Sequence, residues 1–230
     1  MATSVLSRIP GRFLSFVVLT ALAAPAHAQR PPATQASPGQ GHRRLFAPQD
    51  LGLLESPDRA AWQRPDVIMD ALQIADGSVV ADIGAGAGWF TIRLARRVGP
   101  RGLVYSQDVQ RQMLEAIRRR VTREGLENVE TRLGSGSDPH LPTGTLDAVL
   151  VVDAYQEVED GVSFLRNLAR ALKPNGRIGV VNYTPGNGGP GPDAEDRVER
   201  SVVESQVQAA GLRVLSHASL PYQYLLVLGR

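Results

Sequence analysis

The chain contains no cysteine. That excludes a disulfide framework, a thiolate metal site and a cysteine nucleophile. Histidine is scarce too: there are four, scattered, with no metal-holding spacing such as H-E-x-x-H. Charge of one sign is also missing. Arg8 and Arg12 lie in residues 1–28, which hold no acid, and setting them apart from the 25 basic residues leaves the rest balanced against 23 acidic ones. With no basic excess, a nucleic-acid partner is not expected. The cluster Arg118-Arg119-Arg120 with Arg123 falls on a helical pattern that also carries Glu115 and Glu124, and reads as a solvated helix face. Nor is there a long hydrophobic run. The apolar stretch Phe13–Ala24 falls short of the roughly 20 residues of a comfortable membrane span. What remains is ordinary for one soluble domain: 230 residues, 43% hydrophobic and 21% charged.

The first residues do have a pattern. Arg8 and Arg12 precede the apolar stretch, and Ala26-His27-Ala28 follows Pro25. A positive start, a short apolar centre and an A-x-A site make a secretory signal peptide over residues 1–28. Cleavage after Ala28 leaves Gln29 at the mature N-terminus and sends the protein to the periplasm or outside the cell. Without processing the chain stays in the cytoplasm. Residues 29–44 are rich in Pro, Gln, Gly and Ser and read as a disordered linker. The folded domain is expected over residues 45–230.

Within it, Asp82-Ile-Gly84-Ala-Gly86-Ala-Gly88 follows the apolar Val79-Val80-Ala81 and leads into a helical pattern near Trp89. Strand, glycine-rich turn and helix are the geometry of a nucleotide-type cofactor site. Alternating elements continue beyond it. A helix is expected over Asp66–Ile74, then strands over Ser78–Ile83, Leu103–Ser106, Val129–Leu133, Ala148–Val152 and Arg177–Val181. Helical stripes run between them. Lys173-Pro-Asn-Gly176 reads as a helix stop. A Gly/Pro-rich loop spans Thr184 to Pro192, and a polar helix covers roughly Glu195–Ala210. The runs Leu212–Leu215 and Tyr224–Leu228 read as an antiparallel hairpin at the sheet edge. The pattern implies a doubly wound α/β sandwich.

D-x-G-x-G-x-G after a strand resembles motif I of the class I S-adenosylmethionine (SAM)-dependent methyltransferases. Asp108 lies twenty residues beyond Gly88, at the end of the second strand, where an acid accepts ribose hydroxyls. NAD sites share that acid, but a dinucleotide fingerprint places its third glycine one residue later. The stretch Gly134–Asp147 is similar to the family's G-D-A-x-D-L-P pattern, with Ser135 in place of the acid that usually meets adenine. After the fourth strand, Asp153-Ala-Tyr155-Gln156-Glu157 stands where relatives often carry a histidine pair. The chain is most similar to the ubiquinone/menaquinone-biosynthesis-like small-molecule branch, and its second strand also resembles the protein isoaspartyl methyltransferases.

The resemblance implies a Rossmann-like, mostly parallel seven-stranded sheet with an antiparallel C-terminal hairpin. It implies methyl transfer from SAM to an unidentified small-molecule acceptor, and no metal. Asp82, Gly84, Gly86, Gly88, Asp108, Ser135 and Asp153 are the expected cofactor residues. Tyr155 and Glu157 are candidates to orient or deprotonate an acceptor, set against a reading in which Asp153 caps a helix and Glu157 sits in its first turn. His140 is read as solvated surface, and Trp62 and Trp89 as core or pocket wall. The alternative function is an exported SAM- or nucleoside-binding protein without transferase activity.

Overall fold

A computed structural model describes residues 45–47, 52, 55–186 and 188–230. The expected signal peptide (1–28) and linker (29–44) lie outside the described residues. Two short helices come first, α1 (Arg59–Gln63) and α2 (Pro65–Ala71). Pro65 opens α2 at a position where its missing N–H costs nothing. The alternating part follows as β1 (Val79–Ile83), α3 (Trp89–Val98), β2 (Leu103–Asp108), α4 (Arg111–Arg123), β3 (Val129–Leu133) and β4 (Leu146–Val152). It closes with α5 (Gly161–Ala171), β5 (Leu172–Tyr183), α6 (Arg200–Ala209), β6 (Arg213–Ser219) and β7 (Gln223–Gly229).

The seven strands form one sheet in the order β3-β2-β1-β4-β5-β7-β6. The pairs among β1 to β5 are parallel, and β7 is antiparallel to both β5 and β6. Chain direction across the sheet reverses between β1 and β4. That is the switch point where helices leave to opposite faces and open a crevice at the strand carboxyl ends.

β4 explains why both faces must be covered. Its residues are aliphatic on both sides, as in a buried parallel strand. Val149 and Val151 face the layer of α5 and α6, with Phe164, Leu165, Leu168, Val203 and Val207. Ala148, Leu150 and Val152 face α2 and α3, with Ile68, Leu72, Phe90, Leu94 and Val98. A one-residue slip would exchange these sets, so the register Val80↔Ala148 to Ile83↔Val151 is firmly specified.

Most strands run a residue or more beyond the expected bounds, and three differences have a local cause or change an element's extent. Lys173–Gly176 does not merely stop α5. It bulges out of β5, and pairing jumps from Leu146↔Leu172 to Ala148↔Arg177. Lys173 fills the bulge, with Nζ donating to both oxygens of Asp147 at 2.9 and 2.7 Å. The polar helix starts at Arg200 rather than Glu195, because Arg197 and Glu199 are extended. The guanidinium of Arg197 is committed to loop carbonyls instead. The helix expected over Asp66–Ile74 begins one residue earlier and ends at Ala71.

Candidate functional site

A cavity of about 610 Å³ opens at the carboxyl ends of β1, β2, β4 and β5. The β1–α3 turn forms its floor. Gly84, Gly86 and Gly88 all have positive φ, at 64°, 54° and 77°. Gly84 is confined further: a Cβ there would sit 2.4 Å from the Ala154 Cβ. The third glycine does a different job. Gly88 is the N-terminal cap of α3, and a Cβ on it would meet Ile117 of α4 at 3.2 Å. It permits helix packing, and it does not line the cavity as Gly84 and Gly86 do.

Asp82, at 2% exposure, is the buried acid beneath this turn. Its Oδ2 accepts from Thr91 Oγ1 at 2.6 Å. That uses the only proton on the threonine hydroxyl, so Ser106 must donate the 2.7 Å bond to Thr91 Oγ1. Burial pushes the carboxyl up to about 6, against the Thr91 bond and the Arg59 charge. Asp108 ties β2 to the turn. Its Oδ2 accepts the Gly86 N–H at 3.0 Å and its Oδ1 the Gln110 N–H at 2.9 Å. Desolvation raises its pKa as well, opposed by these backbone bonds.

Ser135 lines the cavity, but its hydroxyl is bound up in its own turn. It donates to the Asp138 carbonyl at 3.2 Å and accepts the Asp138 N–H at 3.1 Å. Asp153 also lines the cavity, in the left-handed region at φ 52°. It caps no helix: α5 is capped by Asp160, which accepts the Ser163 N–H at 3.0 Å. Instead, Gln223 Nε2 donates to both Asp153 oxygens at 2.7 and 2.8 Å. Gln63 Nε2, at 3.4 Å, stands behind them. Burial raises Asp153 to about 6, opposed first by the charge of Arg59.

The two acceptor-side candidates part company. Tyr155 turns into the opposite layer at 1% exposure, its ring edge-on to Phe164 and its hydroxyl donating to Gln206 Oε1 at 2.6 Å. A phenol committed to the core does not reach a ligand, so Tyr155 leaves the candidate set. Glu157 does line the cavity. Its Oε1 accepts the Phe46 N–H at 3.3 Å, and burial pushes it up to about 7. Phe46 is held from the other side too, since its carbonyl accepts Gln110 Nε2 at 2.9 Å. Its main chain is thus a strap across the cavity.

Several residues lacked a sequence signal. Arg59 lies on the five-residue α1, too short to display a period. Its guanidinium is 4.5 Å from the centre of the Trp89 ring, and its Nε donates to Gln63 Oε1 at 2.5 Å. Trp62 and Trp89, read from the sequence as core or pocket wall, both line the cavity. Trp62 stands 6.1 Å from the rings of both Tyr183 and Tyr222. Arg197 gathers the Gly/Pro loop, donating to carbonyls of Thr184, Gly186, Gly188, Pro190 and Pro192 at 3.1–3.4 Å. Arg120 leaves the solvated helix face it was expected to share. It is only 14% exposed, pairs with Glu55, and donates to the Ala87 carbonyl in the glycine turn at 3.2 Å. Among the described residues no cluster of acids and histidines suits a metal ion, and no helix is long and apolar enough to cross a membrane.

The residues present suit SAM. Two glycines leave the floor open to a ligand lying on the backbone, a buried carboxylate waits beneath, and a second acid stands at the next strand end. Comparison with known proteins agrees. Residues 80–176 match the family model described as a methyltransferase domain. The nocamycin O-methyltransferase of Saccharothrix syringae is 33% identical over 118 residues, 51% of this chain and 42% of that protein. The demethylmenaquinone methyltransferase of Listeria monocytogenes serotype 4a is 29% identical over 119 residues, 52% of this chain and 50% of that one. The chain thus spans about half the length of the curated relatives it matches. A SAM-dependent methyltransferase of known structure from Aquifex aeolicus superposes with a TM-score of 0.76 at 27% identity, over 80% of this chain and 98% of that one. Fold, cavity and sequence therefore agree: residues 80–176 match a methyltransferase domain, and the sheet that carries them is that of a SAM-dependent methyltransferase of known structure.

Proposed function

We propose that this protein transfers a methyl group from SAM to a small-molecule acceptor. One observation carries the reading: the glycine turn, Asp82 and Asp108 converge on a single cavity, whose far side is walled by aromatic residues. SAM supplies an already activated methyl on its sulfonium, so the protein's task is alignment, desolvation and electrostatics. Asp82 suits the ammonium of the methionine part and Arg59, beside it, the carboxylate. Asp108 suits the ribose hydroxyls, with the backbone of Gly84 and Gly86 beneath. Ser135 stands at the adenine end with a neutral hydroxyl already partnered by Asp138. Trp62, Tyr183 and Pro190–Pro192 wall the acceptor side.

The enclosed cavity and the names of the relatives, an O-methyltransferase and a demethylmenaquinone methyltransferase, support a small acceptor, and the quinone-biosynthesis branch is the finer expectation. Calorimetric titration with S-adenosylhomocysteine (SAH) tests the reading: saturable binding is expected, and its absence would sink it. We also read residues 1–28 as an export signal. Fractionation with N-terminal peptide mapping checks that, and an intact Met1–Arg30 peptide in the cytosol overturns it.

A further inference from the structure

Five carboxylates line the cavity: Asp82, Asp108, Asp153, Glu157 and Asp196. The proposed cofactor uses Asp82 and Asp108. Glu157 lies under the Phe46 strap on the side of Asp108, whose charge it feels, and Asp196 is on the exposed rim. Asp153 remains, and its setting is unlike that of a structural acid. Two glutamines, Gln63 at 0% and Gln223 at 1% exposure, are buried behind it and bonded to each other at 2.9 Å. Burying two amides is costly unless their bonds are used. Here they fix a carboxylate whose own backbone is held in a conformation that non-glycine residues rarely adopt.

Its position is equally specific. Val151 of β4 pairs with Ile83, so Asp153 emerges beside the glycine turn, and Ala154 abuts Gly84. That is the methionine side of the cradle, away from Asp108. Around Asp153 lie the Arg59 and Arg197 charges and the Tyr183 phenol. The Tyr183 ring packs on the Trp62 ring, 6.1 Å away, and against Gly191 of the Pro190–Pro192 wall. A fixed proton acceptor beside an aromatic and proline wall suits a flat ligand with one proton to give.

We propose that Asp153 is the catalytic base of the acceptor site, and that the acceptor is a hydroxylated aromatic compound seated against the wall formed by Trp62, Tyr183 and the Pro190–Pro192 loop. Gln63 and Gln223 are positioning residues for the carboxylate. The assignment rests on the methyltransferase reading. As the acceptor oxygen forms its bond to the methyl carbon, the carbon–sulfur bond of the sulfonium breaks and its electron pair stays on sulfur. The hydroxyl proton passes to Asp153 and then to solvent. The products are the aryl methyl ether, SAH and one proton.

The test uses the full chain. Titration with SAH comes first, and its failure in the wild type removes the methyltransferase reading itself. With SAH bound, phenol, catechol and a naphthol are compared with their methyl ethers, which cannot donate. The wild type is expected to prefer each hydroxyl compound by about tenfold or more, as for a hydrogen bond to a charged group. D153N should keep SAH affinity, lose that preference, and lower turnover of the methylated hydroxyl compound by roughly 10²–10⁴-fold. Asp153→Ser, which sets no new amide against the two glutamines, replaces D153N if that variant loses SAH binding. The assignment is overturned if the substituted proteins keep the preference and the turnover. It is equally overturned if the SAH-binding wild type shows no preference for hydroxyl over ether.

Discussion

The Gly86 N–H donates to Asp108 Oδ2 at 3.0 Å, so the acid at the end of β2 is fastened to the turn that leaves β1. One carboxylate thus shapes the floor of the cavity and presents itself to a ribose. Asp108→Ala should weaken SAH binding by roughly 10–100-fold, since bonds to a charged acceptor are lost on both sides. Calorimetry reads the change. Unaltered affinity would remove Asp108 from the cofactor site.

Gly84 offers a steric test. A methyl there would lie 2.4 Å from the Ala154 Cβ and adopt φ 64°. Gly84→Ala should lower the melting temperature and abolish measurable SAH binding. Adding Ala154→Gly relieves the contact but not the backbone strain, so it should restore part of the stability. A double variant no more stable than the single one would show that Ala154 is not the obstacle.

Protonation gives a third. Burial raises Asp82 and Asp153 to about 6 and Glu157 to about 7. Groups raised on folding stabilise the fold fully below their unfolded values, near 4, and lose that contribution as pH climbs through their folded values. The ligand-free protein should therefore lose stability between about pH 4 and pH 7, on the order of 1 kcal/mol or more per fully buried acid. Asp82→Asn should melt higher than wild type at pH 8, with the gap closing towards pH 4, and should bind SAH less tightly. Equal melting temperatures at pH 8 would refute the assignment of strain to Asp82.

Arg197 supplies a fourth. Its guanidinium holds five carbonyls of the Thr184–Pro192 loop and lies 5.3 Å from the centre of the Tyr183 ring. Arg197→Met should make this loop a protease site and raise the acceptor KM several-fold. SAH affinity should stay within about twofold, because distant sites act almost independently. Limited proteolysis beside SAH titration separates these outcomes.

What the sequence revealed follows from how each signal is encoded. β1, β4 and the glycine turn are continuous in the chain, so their period and composition were readable, and with them the mostly parallel sheet with its antiparallel hairpin. Asp82, Gly84, Gly86 and Asp108, which line the cavity, were legible because they lie within a fixed reach of that turn. Arg59, Gln63 and Gln223 were not, since they meet Asp153 from 94, 90 and 70 residues away. Tyr155 was misplaced because three residues of a 3-10 turn, Tyr155–Glu157, point in diverging directions. Neighbours in sequence there serve opposite layers of the sandwich. Gly88 fits the cofactor spacing, yet its constraints are a φ of 77° and the Ile117 side chain of another helix.

The strap at Phe46 has a consequence for tolerance to change. Both of its hydrogen bonds come from the main chain, the N–H to Glu157 and the carbonyl to Gln110. The strap is therefore written in backbone that any residue except proline provides. Substituting Phe46 should leave the two anchors in place, whereas substituting Gln110 or Glu157 removes one each. Information about closing the cavity resides in the walls, and the segment that crosses it is free to vary.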